Sequence, residues 1–287
     1  MYEVAVVGSA GFLGAAVMSA FKEAGIKAVG YTLDQPLFGE DGLDAAARTV
    51  RTVVWCASRI NPRLAQERPD YIDADRADLD QALESFASLG APPRVVLMSS
   101  GGTIYGAPSV PPFAEGLETH PVNEYGEAKL AIEEHVRASG LESVALRMAN
   151  AYGPGQRPAP GQGVLAHWME AVLGGGEVHL YGDADATRDY IYVDDIASAV
   201  VAAHRADAPP PIVNVGTGIP TTLDELLEAL EFAVTPSRFD TVRHPPRATD
   251  TAHSALDVTL AGDALGWQPE VSLYEGVGRM WAWRMSR

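Results

Sequence analysis

A chain of 287 residues, 47% of them hydrophobic, can bury one large core or two unequal ones, and a soluble globular protein is expected. A formal net charge of -17 gives no attractive field for phosphate backbones or anionic membranes; it excludes nucleic acid and membrane as expected partners and leaves any anionic ligand to local groups. The single cysteine, Cys56, excludes an intramolecular disulfide framework, and its place in the apolar run VVWCA predicts a buried thiol and a reducing, cytoplasmic setting.

The opening MYEVAVVGSAG has too short an apolar run for a signal peptide, and no later run reaches membrane-spanning length, so no targeting segment is expected. EVAVV (residues 3–7) predicts a strand, GSAGFLG a turn, and AAVMSAFKEAG, with its terminal Gly25, a helix. KAVGYTL and TVVWCAS read as further strands, ADLDQALESFASLG as an amphipathic helix and RVVLMSS as another buried strand. YGEAKLAIEEHVRASG follows as a helix with a glycine stop, then SVALRMAN as a strand. Strands alternating with helices predict an α/β fold whose parallel sheet is covered on both faces. From about Gly153 the chain turns into the irregular YGPGQRPAPGQG. A boundary is expected there, with residues 1–153 forming the first domain and 154–287 mainly a second, smaller one. Residues 189–215, which contain IYVDDIASAVVAAH and PIVNVG, are expected to return to the first.

Gly8, Gly11 and Gly14 form GxxGxxG directly after the first strand. Such a turn lets backbone approach a pyrophosphate and presents helix N-terminal amides to it, which suits a dinucleotide. Asp34 lies twenty residues after Gly14, where an acidic group would bind the adenosine ribose; it also suits a loop start before Gln35 and Pro36. No Arg or Lys occurs between Ala28 and Ala47 to meet a 2'-phosphate, which favours NAD over NADP. Tyr125 and Lys129, spaced i, i+4, share one helix face. A phenol with pKa ~10 is a poor base near neutrality, and a neighbouring ammonium favours the phenolate. YxxxK alone better fits a surface pair on an amphipathic helix.

The segments GSAGFLG, VVWCAS, VVLMSSGGTIYG, PVNEYGEAKL, LRMANAYGPGQRP, GDADATRDYIYVDD, NVGTG, RATDTAHSALD and LGWQPEVSLYEGV, in this order, resemble the extended short-chain dehydrogenase/reductase family, the group of NAD-dependent nucleotide-sugar epimerases and dehydratases. The resemblance covers nearly the whole chain. It implies a Rossmann-type doubly wound parallel sheet with a smaller mixed C-terminal substrate domain. It implies NAD bound by Gly8, Ala10, Gly11, Phe12, Leu13, Gly14, Asp34, Ala57, Ser58, Tyr125 and Lys129, with Tyr125 as general base and Lys129 on the nicotinamide ribose. Asn150 and Arg188 would bind the sugar diphosphate together with Arg247, with Asp250 near the ribose and Thr103 and Tyr105 at the sugar. Arg188 also suits a salt bridge to Asp189 or Asp194. The resemblance further implies a homodimer through helices near 75–89 and 124–139, and a sugar pocket shaped by residues 155–163 and those near Tyr152 and His167.

Asp194 and Asp195 are expected to cap the helix ASAVVAAH, and Trp281 and Trp283 to pack. The seven histidines show no metal-ligand spacing, so no metal is expected. Two departures from the family stand out. Where family epimerases read SSSATVYG, with the third serine as proton shuttle, this chain has Gly101; the hydroxyl is then expected from Thr103, with Ser100 as second candidate. Residues 35–52 are also short, leaving room for one helix within GLDAAARTV and a trimmed adenine side. TIYG lacks the Asp-Glu pair of family 4,6-dehydratases. The expected reaction is therefore C4 epimerisation of a UDP-hexose or UDP-uronic acid through a 4-keto sugar. The alternatives are an NAD(P)H-dependent 4-ketoreductase and, against the Tyr125-Lys129 pair, a non-catalytic dinucleotide sensor.

Overall fold

The computed structural model describes residues 1–106, 110–183, 185–245 and 253–287. Strands β1 (Val4–Val7), β2 (Ala28–Tyr31), β3 (Thr52–Trp55), β4 (Arg94–Ser100), β5 (Ser143–Met148) and β6 (Ile212–Val215) form one sheet in the order β6-β5-β4-β3-β1-β2, every neighbouring pair parallel. Apolar residues run consecutively through VAVV and TVVW because both faces are covered. The helices are, in chain order, α1 (Phe12–Glu23), α2 (Pro62–Glu67), α3 (Pro69–Ala87), α4 (Gly101–Ile104), α5 (Glu124–Ala138), α6 (Val164–Leu173), α7 (Val193–Arg205), α8 (Leu223–Val234), α9 (Thr259–Leu265) and α10 (Leu273–Met285).

Alternate residues of each strand supply opposite cores. Val4, Val6, Val54 and Val96 pack with Phe21 of α1 and Ile196 and Val200 of α7. Ala5, Val53, Val95 and Leu97 pack with Leu83 and Phe86 of α3 and Val136 of α5. Burying each of these larger apolar side chains stabilises the fold by ~1.5–3 kcal/mol before the entropy of ordering the chain is counted. A third apolar cluster joins α6, α8 and α10 through Leu165, Met169, Leu226, Leu230 and Met280. It includes Tyr152 and Tyr192, from the parallel pair Asn150–Tyr152 with Tyr190–Tyr192, and Val178 and Leu180, from the pair Val178–Tyr181 with Thr241–His244. Trp281 packs against this cluster.

The strand order reverses at β1, since the chain passes outward to β2 and then crosses to β3 on the other side. A crevice opens over the carboxyl ends of β1 and β3 at such a reversal, and the glycine turn after β1 lies there. No helix among the described residues is long and apolar enough to cross a membrane.

Two local expectations are corrected. GLDAAARTV forms no α-helix: residues 38–39 and 42–43 pair as a short antiparallel hairpin, followed by a 3-10 helix at Ala47–Thr49. Asp44 organises this segment, its Oδ1 accepting from the Tyr31 hydroxyl at 2.6 Å and the Ala46 N–H at 2.9 Å, while Arg48 Nε donates to the Leu43 carbonyl. Such side-chain bonds compete with helical ones. Nor do Asp194 and Asp195 cap a helix. The helix starts at Val193 with Tyr192 at its cap position, and Asp195 instead accepts the Glu270 and Val271 N–H groups, each at 3.1 Å.

Candidate active site

The glycine turn is shaped by close backbone approach. Gly8 has φ +85°, and a Cβ there would lie 2.7 Å from the Ala57 nitrogen; one on Gly14 would collide with the Gly8 carbonyl oxygen. The turn therefore touches the segment after β3, which puts Ala57 beside the cradle. Gly11 caps α1 with no side-chain bond, leaving the first amides of the helix, from Phe12 and Leu13 onward, for an anionic group. Ala10 is exposed at the tip of the turn. A cradle that a Cβ would fill and a helix start without a cap together fit a dinucleotide pyrophosphate.

Ser58 sits next to Ala57, and its hydroxyl donates to Asp75 Oδ2 at 3.0 Å, while the Arg59 N–H and Nη1 reach the same carboxylate at 2.8–3.0 Å. Asp75, buried on α3, thus pins the cofactor-edge loop; its one sequence signal is a charge on the apolar face of an amphipathic helix. Asp34 stands exposed in a turn past β2, where the Thr32 N–H donates to the Gln35 carbonyl. Burial pushes the Cys56 thiol up to about 12, against the lowering pull of the Lys129 ammonium.

The elements that carry four candidate catalytic groups, β4, α4 and α5, pack together at the carboxyl end of β4. Ser100 ends that strand, α4 begins at the next residue, and Thr103 Oγ1 donates to Ser100 Oγ at 3.1 Å. Tyr125 lies in the first turn of α5, which Asn123 caps by accepting the Gly126 N–H at 2.9 Å. A Cβ on Gly126 would stand 2.7 Å from the Thr103 carbonyl oxygen, so this glycine lets the Tyr125 turn press against the Thr103 turn. Lys129 is 9% exposed, with Nζ 5.7 Å from the Tyr125 ring centroid.

Asn150 Nδ2 donates to the Asp189 carbonyl at 3.1 Å and lies 3.9 Å from where a Cβ on Gly102 would be, so it borders the same corner. Arg188 is half-buried, and its Nη1 donates to the Thr187 carbonyl at 2.9 Å. The Asp189 carboxylate accepts from Thr217, Gly218 and Leu256 instead, so the salt bridge considered for Arg188 is not formed with it. Arg247 and Asp250 lie outside the described residues.

Tyr105 is a correction to the sequence reading. It is fully buried, its hydroxyl donates to Asn214 Oδ1 at 2.7 Å, and the Arg147 guanidinium lies 4.9 Å from its ring centroid, so it faces the core and not a sugar. Tyr152 is likewise buried, packed edge-on against Tyr192. His167 Nε2 bonds the Ala159 carbonyl at 2.8 Å and ties back residues 159–167. This loop reaches the cofactor side: a Cβ on Gly155 would touch Phe12, and one on Gly161 would lie 3.3 Å from Arg63 Cβ. Among the described residues no group of three or more His, Cys, Asp or Glu could hold a metal.

The sequence reading missed Glu133, Arg147 and Ser99, which form a buried polar cluster under α5. One signal was available: a charged residue inside the otherwise apolar strand SVALRM.

The model of the NAD dependent epimerase/dehydratase family matches residues 4–216. A UDP-glucose 4-epimerase of Mycolicibacterium smegmatis is 38% identical over 201 residues, 69% of this chain and 64% of that enzyme, so the match spans less than two thirds of that relative's length. A putative UDP-glucose 4-epimerase of Methanocaldococcus jannaschii is 33% identical over 82% of this chain and 77% of its own. The crystal structure of the Thermotoga maritima UDP-glucose 4-epimerase with UDP-glucose superposes with a TM-score of 0.87 at 30% identity, covering 99% of both chains.

Proposed function

Because the chain belongs to the NAD dependent epimerase/dehydratase family, we propose that it interconverts C4 epimers of a nucleotide sugar, a UDP-hexose or UDP-uronic acid, through a transient 4-keto sugar. The observation that supports this reading is the packing of the α5 turn that carries Tyr125 against the turn that carries Thr103, with the Thr103 hydroxyl on Ser100, Lys129 one helical turn on, and a glycine cradle fit for a dinucleotide.

When bound, NAD would supply a hydride acceptor and donor for C4 of the sugar. Tyr125 takes the proton of the C4 hydroxyl and returns it to the opposite epimer. Lys129 follows Tyr125 by one helical turn, where its ammonium would hold the nicotinamide ribose and favour the phenolate. Thr103, hydrogen-bonded to Ser100, holds the sugar oxygen in line with Tyr125. Asn150, Arg188 and Arg247 bind the nucleotide diphosphate, with Asp250 near the ribose; guanidinium groups in fixed geometry suit the diphosphate in so acidic a chain. In this reading residues 1–153 with 189–215 hold the cofactor and 154–287 mainly hold the sugar nucleotide. It includes a homodimer through α3 and α5, and a cytoplasmic setting, supported by a single unpaired cysteine.

The test is purified protein with UDP-galactose and no added cofactor. Formation of UDP-glucose supports the proposal. Stoichiometric consumption of NADPH or NADH with a nucleotide-linked 4-keto sugar would replace it by a reductase.

A further inference from the structure

Below the Tyr125 turn lies a buried ion pair for which the reaction described above has no use. Glu133 follows Lys129 by four residues and Tyr125 by eight, so the three side chains share one face of α5. Arg147, from β5, places Nε 3.1 Å from both Glu133 carboxylate oxygens and Nη2 2.7 Å from Oε2. Ser99, from β4, donates its hydroxyl to Glu133 Oε1. The side chains of the pair are 3% and 5% exposed. The network continues from the Arg147 guanidinium over the Tyr105 ring to Asn214 of β6, whose Nδ2 donates to the Phe113 and Asp257 carbonyls at 2.8 and 3.1 Å.

Four members stand close in sequence to a group assigned to the reaction. Ser99 adjoins Ser100, Tyr105 follows Thr103 by two residues, Arg147 precedes Asn150 by three and Glu133 follows Lys129 by four. The cluster therefore cross-links the backbones that carry the hydroxyl pair, the Tyr125 helix and Asn150, from the buried side. Stability alone is a poor account of it, because an apolar pair of similar volume is often as stable as a buried ion pair. What apolar contacts do not supply is a single geometry. A guanidinium held by both oxygens of a carboxylate fixes the height and rotation of α5 against β4 and β5, whereas aliphatic side chains tolerate sliding.

We propose that Glu133 and Arg147 are positioning residues of the reaction, holding Tyr125 and Lys129 in register with the Thr103 and Ser100 hydroxyls. The proposal rests on the functional reading above, in which those four groups meet the substrate.

The experiment compares the parent with Arg147→Lys and with the double variant Glu133→Leu, Arg147→Met, reading melting temperature, bound NAD, KM and kcat. Turnover is whichever the parent shows, epimerisation or 4-keto reduction, since Tyr125 serves both. The double variant should melt within about 5 °C of the parent, keep its NAD and KM, and lose ~10²-fold in kcat, the scale of an ångström of misplacement. A double variant that keeps both fold and kcat overturns the proposal and makes the pair structural. If the double variant does not fold, Arg147→Lys decides: charge kept and the two-point grip lost should lower kcat about tenfold at unchanged KM, and an unchanged kcat overturns the proposal. A parent that shows neither turnover refutes the functional reading and this proposal with it.

Discussion

Leu256 occupies the space that a side chain at residue 101 would need: a Cβ on Gly101 would fall 2.7 and 2.8 Å from its two methyl carbons. Leu256 is 1% exposed, and its backbone is held by the Asp189 carboxylate, so it has little room to withdraw. Gly101, at the position where the resemblance would put a serine, is thus matched by a leucine from a distant segment. Gly101→Ser should therefore destabilise the protein by ~1–3 kcal/mol through overpacking. Leu256→Ala alone should cost ~2–5 kcal/mol through the cavity it leaves. The double variant should be more stable than the sum of the two losses allows, because the serine fills part of that cavity. Denaturant titration of all four proteins measures the coupling, and strict additivity would show that the two positions do not share the space.

Tyr125→Phe should lower kcat by ~10²–10⁴-fold, the range for losing a positioned proton-transfer group, while bound NAD is retained. Retained activity would refute Tyr125 as the base. Of the hydroxyl pair, Thr103 carries the assignment, so Thr103→Val should reduce kcat more than Ser100→Ala does. A fully active Thr103→Val with a dead Ser100→Ala would transfer the role to Ser100. Because Thr103 donates to Ser100, neither substitution is expected to be silent in the folded site.

These residues were legible for physical reasons that do not extend to the whole site. Gly8, Gly11 and Gly14 are readable because a turn against backbone tolerates nothing larger. Tyr125 and Lys129 are readable because i, i+4 spacing fixes a shared face whatever the helix packs on. Tyr105 shows the opposite case: it lies two residues after Thr103, but α4 turns it into the core, and local sequence does not record where Asn214 and Arg147 stand. Asp195 has the composition of a helix cap, yet its partners are amides 75 and 76 residues away. The segment GLDAAARTV has helical propensity, which Asp44 overrides through bonds to Tyr31 and Ala46.

The cradle can be tested apart from turnover. Gly14→Ala would drive a methyl group into the Gly8 carbonyl, and Gly8→Ala would add both a left-handed residue and a contact with Ala57. Each should cost ~1–3 kcal/mol and abolish retention of NAD. Alanine at Gly25, whose φ is +73° but whose missing Cβ would meet nothing within 4 Å, controls for strain without contact. Isothermal titration with NAD and thermal melts separate the two effects. Unchanged affinity in Gly14→Ala would move the cofactor elsewhere.

His204 gives the fold a pH dependence with a defined sign. It lies 3% exposed on α7, its Nδ1 is 2.8 Å from Thr52 Oγ1 of β3, and its ring meets Phe21 of α1 edge-on. Burial, with the Arg51, Arg94 and Arg205 charges and against the pull of Glu3, holds its pKa below the ordinary histidine value. The unfolded chain therefore binds a proton first as pH falls below ~6.5. The stability contributed by neutral His204 is complete above that value and is lost as pH falls toward the lowered folded value. Asp189 and Asp195, whose carboxyls are raised by burial, slope the opposite way, so the difference between two proteins is the clean readout. His204→Leu should be less stable than the parent by about 1 kcal/mol or more near pH 7.5, because it leaves the buried Thr52 hydroxyl without this partner. That gap should shrink toward pH 5.5, as only the parent must keep a histidine neutral. Denaturant titrations at both pH values measure it, and a gap that widens on acidification would assign the pH dependence to another group.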